Sequence, residues 1–227
     1  MVRSAAVRKP SPHVHAKHEL RRTQILRAAQ RAFRERGYHA TTLDHIAEHL
    51  GVRKTALYHY FSDKDAILYE CHRGALAELE RIVAESRALA TPGERLRHLI
   101  VEHVRVMTDT LDGSPLAFEV PALAPERQAA IIAGRDAYER ELRRIIDQGI
   151  RSRAFRRVDA KLATFAILGA INWVARWWRP EGLLQADAIG TQFADHLVGG
   201  LGLLPRPRRV RRRTARPTRR APRKATA

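Results

Sequence analysis

The reading of this chain turns on residues 42–64, TLDHIAEHLGVRKTALYHYFSDK. Leu43, Ile46, Ala47 and Leu50 recur at three- and four-residue steps, the period of a single apolar helical face. Thr42 offers a hydroxyl where such a helix needs its N-cap, and Gly51 supplies a residue that accepts a left-handed turn. Val52 fits the corner, Ala47 is small where two helices would cross, and Leu57 turns inward from a second short helix over 54–60. Two short helices around a glycine-centred corner make a helix-turn-helix. The second, from Arg53 to Tyr60, presents donors on the face away from Leu57. A DNA-reading helix needs such a row of donors to reach base edges in the major groove and the phosphates beside it.

Outward from this stretch the pattern stays helical. Ile25, Leu26, Ala29 and Phe33 line one face of a helix that Gly37 stops. Ser62 or Asp63 caps a helix predicted over 64–89, and Thr91-Pro92-Gly93 breaks the chain. Further helices are predicted over roughly 94–111, 126–152, 161–178 and 187–201, with turns at 112–115 and between Pro121 and Pro125. The stretch 161–178 is almost continuously apolar, so burial on several faces is expected there. No run alternates as a strand would, and a chain 44% hydrophobic but only 6% aromatic fits an all-α fold. The expected organisation is a disordered basic arm (1–17), a three-helix helix-turn-helix domain (18–65), a helical ligand-binding and dimerisation domain (66–203) and a disordered Arg-rich tail (204–227).

The formal charge of +18 would by itself suggest nucleic acid, but its placement tempers that. The arm and the tail hold fifteen of the cations and no acid, so residues 18–203 carry only +3. One cysteine, Cys71, excludes an internal disulfide and a cysteine-rich metal site. No apolar leader or membrane-length run is present, which points to a cytoplasmic protein without a membrane partner. His45 and His49 stand one helical turn apart without a third ligand nearby, and a solvated helix face accounts for them. No phosphate loop, nucleophile elbow or metal-hydrolase motif occurs, so neither an enzyme nor a cofactor is expected.

Ile25–Leu68 resembles the N-terminal domain of the TetR family of repressors over its whole length, through ILRAAQRAFRERGYHATTLDHIAEHLGV and TALYHYFSDKDAIL. The resemblance implies a homodimer on a double-stranded operator, with Thr42 on a phosphate and Lys54 and Thr55 nearest the bases. It also implies that Arg53, Tyr58 and His59 face DNA, and that Tyr60 and Lys64 brace the backbone; Tyr60 serves equally well as a packing residue. Ala56 departs mildly from the family, which often has Gly, Ser or Thr there.

In the second domain, FAILGAINWVARWWRPEG (165–182) holds all three tryptophans. It supports two readings, a dimer interface or the wall of a small-molecule effector pocket. It is also similar to the C-terminal domain of TetR-type regulators of fatty-acid or steroid-ring catabolism, which implies an acyl-CoA thioester as effector. The pocket candidates are His103, Met107, Phe118, Phe165, Asn172, Trp173, Arg176 and Trp177, with Arg105, Arg176 and Arg179 as cations for CoA phosphates. The expected function is a transcriptional regulator, a repressor released from DNA by its effector. The alternative is a low-specificity nucleoid-type protein driven by the Arg-rich tail.

Overall fold

The computed structural model describes residues 12–111 and 115–202. Within them lie seven α-helices and no strand: α1 (Pro12–Arg36), α2 (Leu43–His49), α3 (Lys64–Ser86), α4 (Pro92–Arg105), α5 (Pro125–Arg151), α6 (Ala160–Trp177) and α7 (Ala186–Leu201). Side-chain caps open several of them. Thr42 and His45 form a capping box on α2, the Asp63 carboxylate accepts from Ala66 N–H at 2.6 Å, and Thr91 and Glu94 cap α4 reciprocally. Thr91-Pro92 therefore begins a helix rather than merely breaking the chain, because a proline in the first turn lacks only an N–H that would have had no partner.

Three expectations are corrected. α1 begins at Pro12, inside the stretch expected to be an arm; residues 1–11, the turn 112–114 and the tail 204–227 lie outside the described residues. α4 does not run to 111. It ends at Arg105 and passes into one π-helical turn, Val106–Thr110, where Leu111 N–H reaches back to the Val106 carbonyl at 3.0 Å. The segment Lys54–His59 is a 3-10 turn, not an α-helix.

The domain boundary expected at 65/66 falls in the first turn of α3, and no linker separates the two parts. α3 packs on α1 near its start and on α4 and α5 further along. One continuous core runs from Ile25, Phe33, Ile46 and Leu57 through Leu68 to Leu99, Ile100, Leu142 and Ile146. Cys71 sits on α3 within this core, and burial pushes its thiol up to about 12. α7 lies along α4 so closely at Gly190 that a Cβ there would stand 3.1 Å from Val101 Cα. The apolar helix α6 is not buried on all faces: Leu162, Phe165, Trp173 and Trp177 are exposed on it. Its sequence signals an apolar face, and in a single chain that face is uncovered.

Candidate functional site

The helix-turn-helix forms as its residues require. Gly51 takes φ +62° at the corner, a conformation that strains residues bearing a Cβ. Val52 N–H closes the turn onto the Ala47 carbonyl at 3.1 Å. Leu57, 1% exposed, locks the 3-10 turn onto the core, so Arg53, Thr55, Tyr58 and His59 all remain exposed.

The other predicted DNA contacts are more committed within the protein. Lys54 Nζ lies 3.1 Å from the Asp44 carboxylate of α2, and this hydrogen bond holds its pKa above the ordinary lysine value. Thr42 accepts from His45 N–H at 3.3 Å, and His45 Nδ1 accepts from Thr42 N–H at 3.2 Å. Tyr60 is half-buried with its ring 4.7 Å from that of His18, which favours the packing role. Lys64 departs most from expectation. Its ammonium donates to the carbonyls of Tyr38 and Thr41, both at 2.8 Å, and lies 4.3 Å from the centre of the Tyr38 ring. Burial draws its pKa down. It ties the start of α3 to the loop after α1 instead of standing open to a phosphate. His49 lies 3.3 Å from Glu35, and among the described residues no cluster suited to a metal occurs.

Below this head, α3, α4, α5 and α6 line a partly open cavity of ≈ 100 Å³. Its polar wall is His72 from α3, His103 from α4, Arg135 and Tyr138 from α5, and Asn172 from α6. Leu76, Leu79, Met107, Leu111 and Leu168 supply apolar surface. His103 Nδ1 and the Tyr138 hydroxyl lie 3.1 Å apart. Burial, reinforced by the charge of Arg135, lowers both imidazoles, His72 to about 3 and His103 to about 4; the Asn172 side chain opposes the shift at His103. Both rings are therefore neutral at pH 7. His72 is 2% exposed, and its Nε2 has no hydrogen-bond partner. The π turn brings Met107 and Leu111 to the cavity, and such turns within helices often mark functional sites.

Two connections join the cavity to the head. The Gln30 amide of α1 donates to the Thr110 carbonyl of the π turn at 2.7 Å. At the start of α5, Arg127 pairs with Asp65 and, at 3.4 Å, with Asp63 at the start of α3. Ala124 N–H adds a bond to Asp65 at 3.0 Å.

Of the eight predicted pocket residues, His103, Met107 and Asn172 line this cavity; Phe118, Phe165, Trp173, Arg176 and Trp177 do not. Phe118 meets Trp173 edge to face at 6.1 Å, with the Arg176 guanidinium 5.6 Å from the Phe118 ring. This cluster is at the surface, with Trp173 56% exposed. Arg105 pairs with Glu102 and, at 2.8 Å, with Asp187, which leaves it poorly placed to serve a phosphate. Sequence reasoning missed His72, Arg135 and Tyr138. The signal was present: Ile131, Arg135, Tyr138, Leu142 and Ile145 share one face of α5, so an arginine stands in an apolar stripe. His72 occupies the same kind of position in α3.

Family profiles match both parts of the chain. Residues 25–71 match one described as bacterial regulatory proteins, tetR family. Residues 89–201 match one described as tetracyclin repressor-like, C-terminal domain. The HTH-type transcriptional repressor KstR2 of Rhodococcus jostii is 31% identical over 189 residues, 80% of this chain and 91% of that protein. Among solved structures, the ketosteroid transcriptional regulator KstR2 of Mycobacterium tuberculosis superposes with a TM-score of 0.75 at 29% identity, covering 81% of this chain and 96% of its own. AibR in complex with isovaleryl coenzyme A and operator DNA gives 0.68 at 28% identity, covering 80% and 98%.

Proposed function

The chain belongs to the TetR family of bacterial transcription regulators, a family of regulators rather than enzymes, and from that premise we propose that it is an operator-binding repressor released by an acyl-CoA thioester. Two copies pair through the exposed apolar face of α6 together with α7, and their 3-10 segments enter successive major grooves of a pseudo-palindromic site. Arg53, Lys54, Thr55, Tyr58 and His59 read or grip DNA there. The cavity takes the acyl part of the effector; the isovaleryl coenzyme A bound by AibR supports that chemistry.

The observation that carries this reading is the bond from Gln30 to the Thr110 carbonyl. The turn that borders the cavity is held directly by the first helix of the DNA-binding head. A ligand that moves Met107 or Leu111 moves the partner of α1, while one that parts α3 from α5 loads the Arg127 clasp. Either displacement changes the separation of the two heads, and the ligand shifts the population toward whichever arrangement it binds better.

The test is fluorescence anisotropy on DNA flanking the gene, with light scattering to give the oligomeric state. Lys54→Ala combined with Tyr58→Ala abolishes operator preference, removal of residues 204–227 preserves it, and isovaleryl-CoA releases the DNA. Binding that vanishes with the tail and ignores sequence supports the nucleoid reading instead. An operator whose occupancy no acyl-CoA alters overturns the effector assignment.

A further inference from the structure

Two groups at the cavity, Arg135 half-buried and His72 buried, lack the partners that removal from water demands. Arg135 brings a guanidinium to the wall; its Nη1 donates to the Ala117 carbonyl at 2.9 Å, and among the described residues no carboxylate pairs with it. Burial lowers its pKa, which reports how poorly its charge is solvated there. His72 lines the same space, and its Nε2 is buried without a hydrogen bond. A half-buried cation without a counter-charge and a buried unsatisfied ring nitrogen are both unfavourable. One addition relieves both: an oxyanion that accepts from the planar fork of Arg135 and from His72 Nε2–H. Guanidinium binds a carboxylate through two parallel hydrogen bonds, which makes the pairing directional as well as strong.

The remaining wall restricts what carries that oxyanion. Leu76, Leu79, Met107 and Leu168 are apolar, so the rest of the ligand is hydrocarbon. The volume, ≈ 100 Å³, is below the roughly 150 Å³ of a cavity that accepts benzene, so the part of the chain held there is only a few carbons long. We propose that the cavity selects a short apolar chain ending in a carboxylate, held between Arg135 and His72. This rests on the reading that the cavity is the effector site. The same chemistry comes from a free short-chain acid or from an acyl thioester whose far end carries a carboxylate.

Calorimetry on the full chain with two matched pairs separates these sources. Glutaryl-CoA against pentanoyl-CoA compares a carboxylate with a methyl at the far end of the same thioester. Pentanoate against pentanamide compares a free acid with its neutral analogue. In at least one pair the carboxylate member binds about tenfold more tightly, the scale of one charge-assisted hydrogen bond gained. Arg135→Gln brings that ratio to about one. Arg135→Lys keeps the charge without the fork and retains part of the preference, so it decides the matter if the Gln variant fails to fold. A preference confined to glutaryl-CoA identifies a thioester; one confined to pentanoate identifies a free acid. Equal or weaker binding of the carboxylate member in both pairs, or a preference that survives Arg135→Gln, overturns the proposal and leaves the cavity a ligand site. Binding of none of the four overturns both readings.

Discussion

Gln30 and Thr110 stand eighty residues apart in the chain and are joined by a 2.7 Å hydrogen bond from the Gln30 amide to the Thr110 carbonyl. Gln30 is buried, so its removal leaves a carbonyl without its partner. Gln30→Met should cost about 1–3 kcal/mol, a fall of roughly 2–12 °C in Tm for a chain of this size. The more specific expectation concerns coupling. Operator affinity in the variant should depend less on ligand, which titrations with and without ligand measure. A full response with the bond removed would mean that the signal passes elsewhere.

The neutral histidines of the cavity predict acid sensitivity. Their folded pKa values, about 3 for His72 and about 4 for His103, lie below the roughly 6.5 of an unfolded histidine. Below that pH the unfolded chain therefore takes up protons that the folded chain refuses, and stability is lost as pH falls. Each ring contributes up to about 1.4 kcal/mol per pH unit. Urea midpoints should decline from about pH 6.5 toward pH 4.5, and His72→Leu should flatten that decline while changing little near neutrality.

Arg127 joins the starts of α5 and α3 through Asp65 and Asp63. Burial works against the ionised Asp63, yet bonds from Ala66 N–H, Ser62 and Arg127 together hold its carboxyl below the usual range. Partly exposed pairs of this kind contribute little to stability, about 1 kcal/mol or less. Arg127→Ala should thus scarcely move Tm. It should weaken operator binding several-fold by loosening the seat of the head, and Arg127→Lys should restore part of the loss. Unchanged DNA affinity would assign the clasp a purely local role.

Lys54 is held by Asp44, which competes with any phosphate or base for its ammonium. Asp44→Asn removes the competitor and one negative charge from the reading surface. DNA affinity should rise, and the salt dependence should steepen by about one phosphate contact. A drop in affinity would show instead that Asp44 orients Lys54 for its contact.

The head was legible because its constraints are local. Gly51, Thr42, Ala47 and Leu57 each satisfy a requirement of a tight corner, and those requirements sit within a few residues of one another. The cavity was less legible because it is assembled from four helices. His72, His103, Arg135 and Asn172 meet only after α3, α4, α5 and α6 have packed. Arg135 is also surrounded in sequence by Arg-Asp and Glu-Arg pairs that read as a solvated face. The tryptophans of α6 left two readings open for a different reason. Apolar periodicity reports which face avoids water, not whether the same chain or another covers it. The π turn has no sequence signature comparable to a cap or a glycine corner.

The buried thiol on α3 adds a practical handle. Cys71 is the sole cysteine of the chain and stands beside His72, fully neutral where it lies. Thiolate, not thiol, is the reactive species, so the folded chain resists alkylating and oxidising reagents alike. Reaction requires α3 to leave its packing, and the rate at which a thiol reagent is consumed therefore clocks local opening. A native stopwatch on the helix shared by head and cavity can time that opening with and without ligand or DNA, with no engineered probe.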